Sequence, residues 1–225
     1  MKIEIWSDYA CPFCYIGEKR LQRALVEVGD KNITVEFKSF ELDPYADKKV
    51  MSSTPERFAE KYGLSMAAAT ERIEQISLMG RREGIDFRYA TTRYTNTFDA
   101  LRLTKFAQEK GHDEIITKLF DAYFTKNLEL SNHAVLKKIA AECGLDGNEV
   151  EEVLSGERFA EEVRADESQA ARLGIHAVPY FVVGGKYGLS GAQSSEILKQ
   201  AITEALTEEN FNGMTCGADG CHFDG

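Results

Sequence analysis

The 225-residue sequence has no stretch approaching the roughly 18–20 uninterrupted apolar residues of a membrane span. Its apolar runs, such as Val178 to Val183, are short, and no membrane partner is expected. Basic charge is also scarce. Lys and Arg number 27 against 37 Asp and Glu, a formal net charge of −10. The positive field on which nucleic-acid affinity mostly depends is therefore missing, local clusters such as Arg81-Arg82 apart, and nucleic acid is not expected as a partner. At the N-terminus, Lys2, Glu4 and Asp8 interrupt the region where a secretory signal needs an apolar run of about 7–15 residues. Cytoplasmic localisation is the expectation. The sequence shows no internal repeat and no low-complexity tract, and its length allows one elaborated domain or two small ones with a core that needs no disulfide staples.

Cysteines are few, and in a reducing compartment five of them do not make a structural framework. Their spacing carries the information. Cys11 and Cys14 form a C-x-x-C pair, Cys216 and Cys221 a C-x-x-x-x-C pair, and Cys143 stands alone near the end of a predicted helix, where it reads as a buried small hydrophobe.

Ile3, Ile5 and Trp6 suit a short strand, broken by Ser7-Asp8-Tyr9-Ala10 just before Cys11. Apolar residues at three- and four-residue spacing then predict a helix through Val28, closed by Gly29-Asp30. A second strand spans Ile33 to Lys38 and ends at the Glu41-Leu42-Asp43-Pro44 turn. For about 120 residues thereafter the periodicity is helical, with seven candidate helices. Phe58, Met66, Met79, Phe98, Leu101, Phe106, Leu119, Phe120 and Tyr123 fall on their apolar faces and are expected in the core. Strand character returns at Tyr180-Phe181-Val182-Val183, followed by a Gly184-Gly185 hairpin signal, a returning strand over Lys186 to Ser190, and a last helix over Ser194 to Glu208. The pattern is β-α-β, a helical block, then β-β-α: an α/β sandwich with a large helical insertion. The expected division is a first part over 1–44, the all-helical insertion over 45–165, a second part over 166–209, and a glycine-rich Cys-containing tail over 210–225, read as flexible.

A C-x-x-C motif is shared by zinc half-sites and redox dithiols; here its place between a strand and a helix favours the dithiol. At the helix N-terminus, unpaired N–H groups and the helix dipole favour thiolate at Cys11, making it the attacking sulfur. Cys14, one turn further in, would resolve the mixed disulfide. A zinc site needs a second ligand pair, and only Cys216 and Cys221 with His222 could supply one, so no metal is expected. His112, His133, His176 and His222 show no ligand spacing, and His176 reads as a solvated loop residue. Val178-Pro179 immediately precedes an apolar strand, where a proline costs no ladder bond and the X-Pro bond can be cis. Cys216 and Cys221 enclose four small or turn-forming residues, so a disulfide between them closes easily and a second redox pair is expected.

Ser7 to Gly17, with its C-P-F-C-Y-I-G run, and Gly174 to Val182, with its V-P-Y-F entry, resemble the thioredoxin superfamily. More closely, they resemble the FrnE-like cytosolic branch of the DsbA family. F-E-L-D-P at Phe40 to Pro44, N-T-F-D-A at Asn96 to Ala100 and G-A-Q at Gly191 to Gln193 extend the likeness over nearly the whole chain. The resemblance implies a thioredoxin-like fold carrying a helical insertion domain. It also implies dithiol–disulfide exchange through Cys11 and Cys14, and a substrate edge formed by Pro12, Phe13, Val178 and a cis Pro179. Protein or small-molecule disulfides and dithiols are the expected partners, glutathione is a further candidate, and no dissociable cofactor is required. The expected assembly is a monomer or homodimer. Pro12-Phe13 lacks the imidazole found between the cysteines of strongly oxidising relatives, so the direction of electron flow is not implied. The alternative enzyme is a glutathione-dependent transferase or isomerase of the kappa-class and chromene-carboxylate isomerase type, whose members typically place serine at the first cysteine. A metal-binding holdase is the non-enzyme alternative.

Overall fold

A computed structural model describes residues 1–209 with their side chains, and the backbone of 210–212, 214–217 and 220–223. Strand β1 (Lys2–Ser7) feeds helix α1 (Pro12–Val28), which crosses to β2 (Thr34–Ser39). A run of helices follows as α2 (Thr54–Tyr62), α3 (Met66–Arg82), a single 3₁₀ turn at Tyr89–Thr91, α4 (Phe98–Glu109), α5 (Glu114–Phe124), α6 (His133–Glu142), α7 (Gly147–Ser155) and α8 (Ala160–Arg172), the last crossing the expected boundary at 165. Hairpin β3 (Tyr180–Val183) and β4 (Tyr187–Ser190) leads into α9 (Ser195–Asn212). Two further short strands, β5 (Met214–Gly217) and β6 (Gly220–Phe223), pair with each other. The four-stranded sheet has the order β2-β1-β3-β4, with β1 parallel to β2 and antiparallel to β3. This is the thioredoxin-like sheet with a helical insertion that the sequence predicts.

Periodicity places each of the seven predicted insertion helices, and local chemistry sets their ends. Ser53 caps α2 within a capping box with Glu56, and Ser65, Asn132 and Asp146 cap α3, α6 and α7. Side chains divide between two apolar cores. Ile3 and Ile5 of β1 pack with Leu21 and Ala24 of α1 and with Leu198 and Ile202 of α9. The second core fills the insertion and reaches β1 through Trp6, whose indole N–H donates to the Asp166 carbonyl of α8 at 3.0 Å. The Asp166 carboxylate accepts from the Ser39 amide at 2.8 Å and pairs with Lys105, so one acidic residue joins α8, α4 and the end of β2.

One core expectation is corrected. Met66 is 50% exposed: it is in phase with the buried row Ala69, Ile73, Ile76 and Gly80, but as the first residue of α3 it lies beyond the elements covering that row. Phe58 and Met79 are only partly buried and serve a different surface, described below. Among the described residues, no helix is long and apolar enough to cross a membrane.

Gly80 is a buried glycine in the last turn of α3, and the ring of Phe87 explains it. A Cβ at Gly80 would lie 2.5 Å from two ring atoms, with the ring stacked in turn on Phe124 at 4.8 Å. Gly80→Ala gains about 1 kcal/mol of helix propensity and loses about 1–3 kcal/mol to overpacking. The expected net is a destabilisation of up to about 2 kcal/mol, read as a lowered midpoint in urea unfolding; a raised midpoint contradicts this account.

Candidate active site

The loop between β1 and α1 is built around Asp8. Its side chain is buried, with 1% residue exposure, and it accepts three hydrogen bonds: from the Ala10 amide at 3.0 Å, the Leu42 amide at 2.7 Å and the Thr97 hydroxyl at 2.9 Å. Burial pushes its carboxyl above the ordinary range, while those three donors pull the other way. The Asp8 carbonyl then accepts from the Cys11 amide at 3.1 Å, which fixes Cys11 as the N-cap of α1 with extended backbone angles, and Pro12 fills the first turn. No side chain caps this helix and no acidic residue occupies its first turn. The positive end of the helix dipole therefore lies beside Cys11 without competition from a carboxylate.

Cys11 and Cys14 are free thiols, both buried, on that first turn. The Cys11 thiol donates to the Val178 carbonyl at 3.4 Å, and the Val178–Pro179 bond is cis. The structure thus brings together Cys11, Cys14, Val178 and Pro179 from opposite ends of the chain. Burial pushes the Cys14 thiol well above its ordinary value, and its hydrogen bond to the Cys11 sulfur pushes it the same way. Around the pair, Tyr15 stacks on Phe120 at 5.1 Å and Tyr9 on Phe37 at 5.4 Å. The Tyr9 and Thr104 hydroxyls share a buried hydrogen bond of 2.6 Å.

Further motifs find their physical use here. A Cβ at Gly17 would lie 3.1 Å from Pro179 and from Phe181, so glycine lets α1 approach the proline loop. Gly191, at φ 79°, donates its amide to the Pro179 carbonyl at 2.8 Å, and the next carbonyl, that of Ala192, accepts from Arg20 of α1 at 2.6 Å. Arg20 also donates to Glu83, at the end of α3, at 2.7 Å, and Arg23 lies 2.9 Å from the other oxygen of that carboxylate. Thr97 and Leu42, in two motifs far apart in sequence, meet on Asp8.

A cleft of about 650 Å³ opens beside Cys11, between the start of α1 with residues 176–178 and the facing surfaces of α2 and α3. Pro12 and Phe13 line it, as do Phe58 and Met79, and His176 stands on its rim. Sequence reasoning missed Asp8, Thr97 and the α2–α3 wall. The polar Asp8 inside a loop flanked by apolar residues was the one local signal; the wall has none, because it exists only once the insertion folds back. Cys143 is buried at the end of α6, as expected. In the β5–β6 backbone register Cys216 stands opposite Cys221, but their side chains, and the expectation of a second redox pair, lie outside the described residues. Among the described residues no group of three or more His, Cys, Asp or Glu is arranged to hold a metal ion.

A family model described as a DSBA-like thioredoxin domain matches residues 2–203, and the chain belongs to this DsbA-like family. The crystal structure of the probable DsbA oxidoreductase SCO1869 from Streptomyces coelicolor is 36% identical, with a TM-score of 0.87 over 100% of both chains. The uncharacterized protein YwbO of Bacillus subtilis (strain 168) is 27% identical over 207 residues, 90% of this chain and 96% of its own. The cytosolic disulfide reductase DsbM from Pseudomonas aeruginosa, solved with GSH, shares the fold at a TM-score of 0.61 and 15% identity over 94% of this chain and 99% of that one.

The raised Cys14 thiol sets a clear expectation for labelling. In the fully reduced native protein at pH 7, iodoacetamide modifies Cys11, which lines the cleft, and leaves Cys14 protonated and unmodified until the chain is unfolded. Peptide mapping by mass spectrometry reads the order; equal labelling of both cysteines contradicts it.

Proposed function

We propose that this DsbA-like protein is a dithiol–disulfide oxidoreductase of the FrnE-like, cytoplasmic kind, working through Cys11 and Cys14 on protein or small-molecule disulfides. The observation that carries the reading is the placement of two free thiols on the first turn of α1, the outer one at an uncapped helix N-terminus facing the Val178 carbonyl. In the reducing direction, the Cys11 thiolate attacks one sulfur of the substrate disulfide. A Cys11 mixed disulfide forms, and the first substrate thiolate leaves and takes a proton. Cys14 then loses its proton and attacks the Cys11 sulfur, releasing the second substrate thiol. The substrate gains two electrons, and the enzyme ends with a Cys11–Cys14 disulfide. The oxidising direction is the same sequence reversed. Pro12, Phe13, Val178 and Pro179 form the edge against which the substrate lies, supported by the position of Pro12, Phe13 and Val178 at the cleft and by the cis bond that joins Pro179 to Val178.

The glutathione-dependent transferase or isomerase reading keeps Cys11 and dispenses with Cys14, and one pair of variants separates the two. Cys11→Ser abolishes disulfide exchange. Cys14→Ser accumulates a stable mixed disulfide on Cys11, visible as a mass adduct, and loses multiple turnover. Full turnover by Cys14→Ser with glutathione would establish the alternative instead.

Cys216 and Cys221 enter the same proposal as a second pair that recharges Cys11–Cys14. Replacing both by serine is expected to slow multiple-turnover exchange while a single oxidation of Cys11–Cys14 proceeds at the wild-type rate. Equal multiple-turnover rates, or stoichiometric zinc in the purified protein, exclude the relay.

A further inference from the structure

The cleft beside Cys11 is lined by positive charge in an otherwise acidic protein. Most Lys and Arg side chains are held by carboxylates, as in Arg20–Glu83, Arg102–Asp99, Lys105–Asp166 and Arg164–Glu41. Arg57 and Lys61 of α2 and Arg72 of α3 all line the cleft, and among the described residues none of them is ion-paired. No Asp or Glu lines it. The Arg57 guanidinium lies 3.7 Å over the ring of Tyr94, which holds it in place, and its Nε is buried without a hydrogen-bond partner. Arg72 reaches only the neutral Gln75 side chain, at 3.3 Å. Between these cations the surface is apolar: Phe58, Ile76 and Met79 form the floor, and Leu42 and Leu64 remain more than a third exposed at 36% and 37%.

We propose that this cleft selects low-molecular-weight organic anions, so that the disulfides exchanging with Cys11 carry a carboxylate beside an apolar or aromatic body. The proposal rests on the reading of Cys11 as the attacking sulfur. A guanidinium partly withdrawn from water, with no anion of its own, is an unsatisfied donor fork whose geometry matches a carboxylate. Arg57, half-buried, and the exposed Lys61 and Arg72 around an apolar floor favour an amphipathic anion over a neutral or cationic molecule, both in steering it to the site and in holding it there. The volume of about 650 Å³ falls within the range of about 300–1,000 Å³ that encloses a small ligand. An occupant held by the cations lies next to Cys11, which shares the cleft wall with them.

The test uses the full-length reduced protein and two aliphatic disulfides of opposite charge, the dianion dithiodipropionate and the dication cystamine. Each rate of Cys11 oxidation is divided by the rate of the same disulfide with free 2-mercaptoethanol, a thiol with no other charged group, which removes intrinsic reactivity without adding a charge preference of its own. The expected anion-to-cation ratio is about tenfold or more at low salt, falling towards one as salt screens the site. It drops by at least about tenfold in Lys61→Glu/Arg72→Glu, where both positions are exposed on helix surfaces. Arg57→Gln is expected to lower the ratio as well; because Arg57 also packs on Tyr94, the double variant carries the test if Arg57→Gln fails to fold. A ratio near one in the wild type, or a ratio unmoved by charge reversal, overturns the proposal. Faster exchange with the disulfides of insulin, insensitive to salt and to charge reversal, assigns the cleft to polypeptides and also overturns it. The neutral dithiodipyridine separates the two levels of the argument. In a Cys216→Ser/Cys221→Ser background, which removes the tail thiols, a Cys11→Ser variant that consumes it as fast as its parent overturns the reading of Cys11 and the proposal with it; if only the parent reacts but no anion preference appears, the selectivity alone fails.

Discussion

The buried carboxylate of Asp8 is the constraint on which the active site depends. Its three donors come from three places: the turn that leads into Cys11, the end of the β2 segment, and the residue preceding α4. Burying a carboxylate is costly, and these hydrogen bonds offset the cost only while all three segments stay in register. The penalty for losing one partner, about 1–3 kcal/mol for a buried polar group, therefore falls on the whole arrangement. That coupling keeps the start of α1 pointed at Val178 while the insertion stays packed against the sheet.

Much of this architecture was legible in the sequence, and the reason is chemical locality. The helix stop at Gly29, the period-two run of β2 and the Gly184-Gly185 turn each act over a few residues, so each can be read without knowing the fold. The C-x-x-C at a strand–helix junction is local in the same sense. Met66 shows where locality stops: its phase is right for burial, but whether anything covers the end of α3 depends on elements elsewhere in the chain. Phe58 and Met79 show the same limit from the other side. Their apolar faces were visible, but the faces turn towards a cleft because α2 and α3 fold back over Cys11.

The motifs that looked independent along the chain prove to be parts of one scaffold. Gly17 makes room for Pro179, the Gly191 amide donates to the Pro179 carbonyl, and Arg20 donates to the Ala192 carbonyl. Their shared effect is to hold the loop that places the Val178 carbonyl against the Cys11 thiol.

The ion pair between α1 and α3 sets how the cleft can behave mechanically. Glu83 is anchored by Arg20 and Arg23 of α1, and its side chain is only 7% exposed, so water does little to loosen the joint. The two walls of the cleft, one carrying the cysteines and the other the α2–α3 surface, are thus braced against each other. Such a cleft works as a gauge: what enters is decided by an aperture already set before arrival, and the energy of binding goes to the contents rather than to moving the walls.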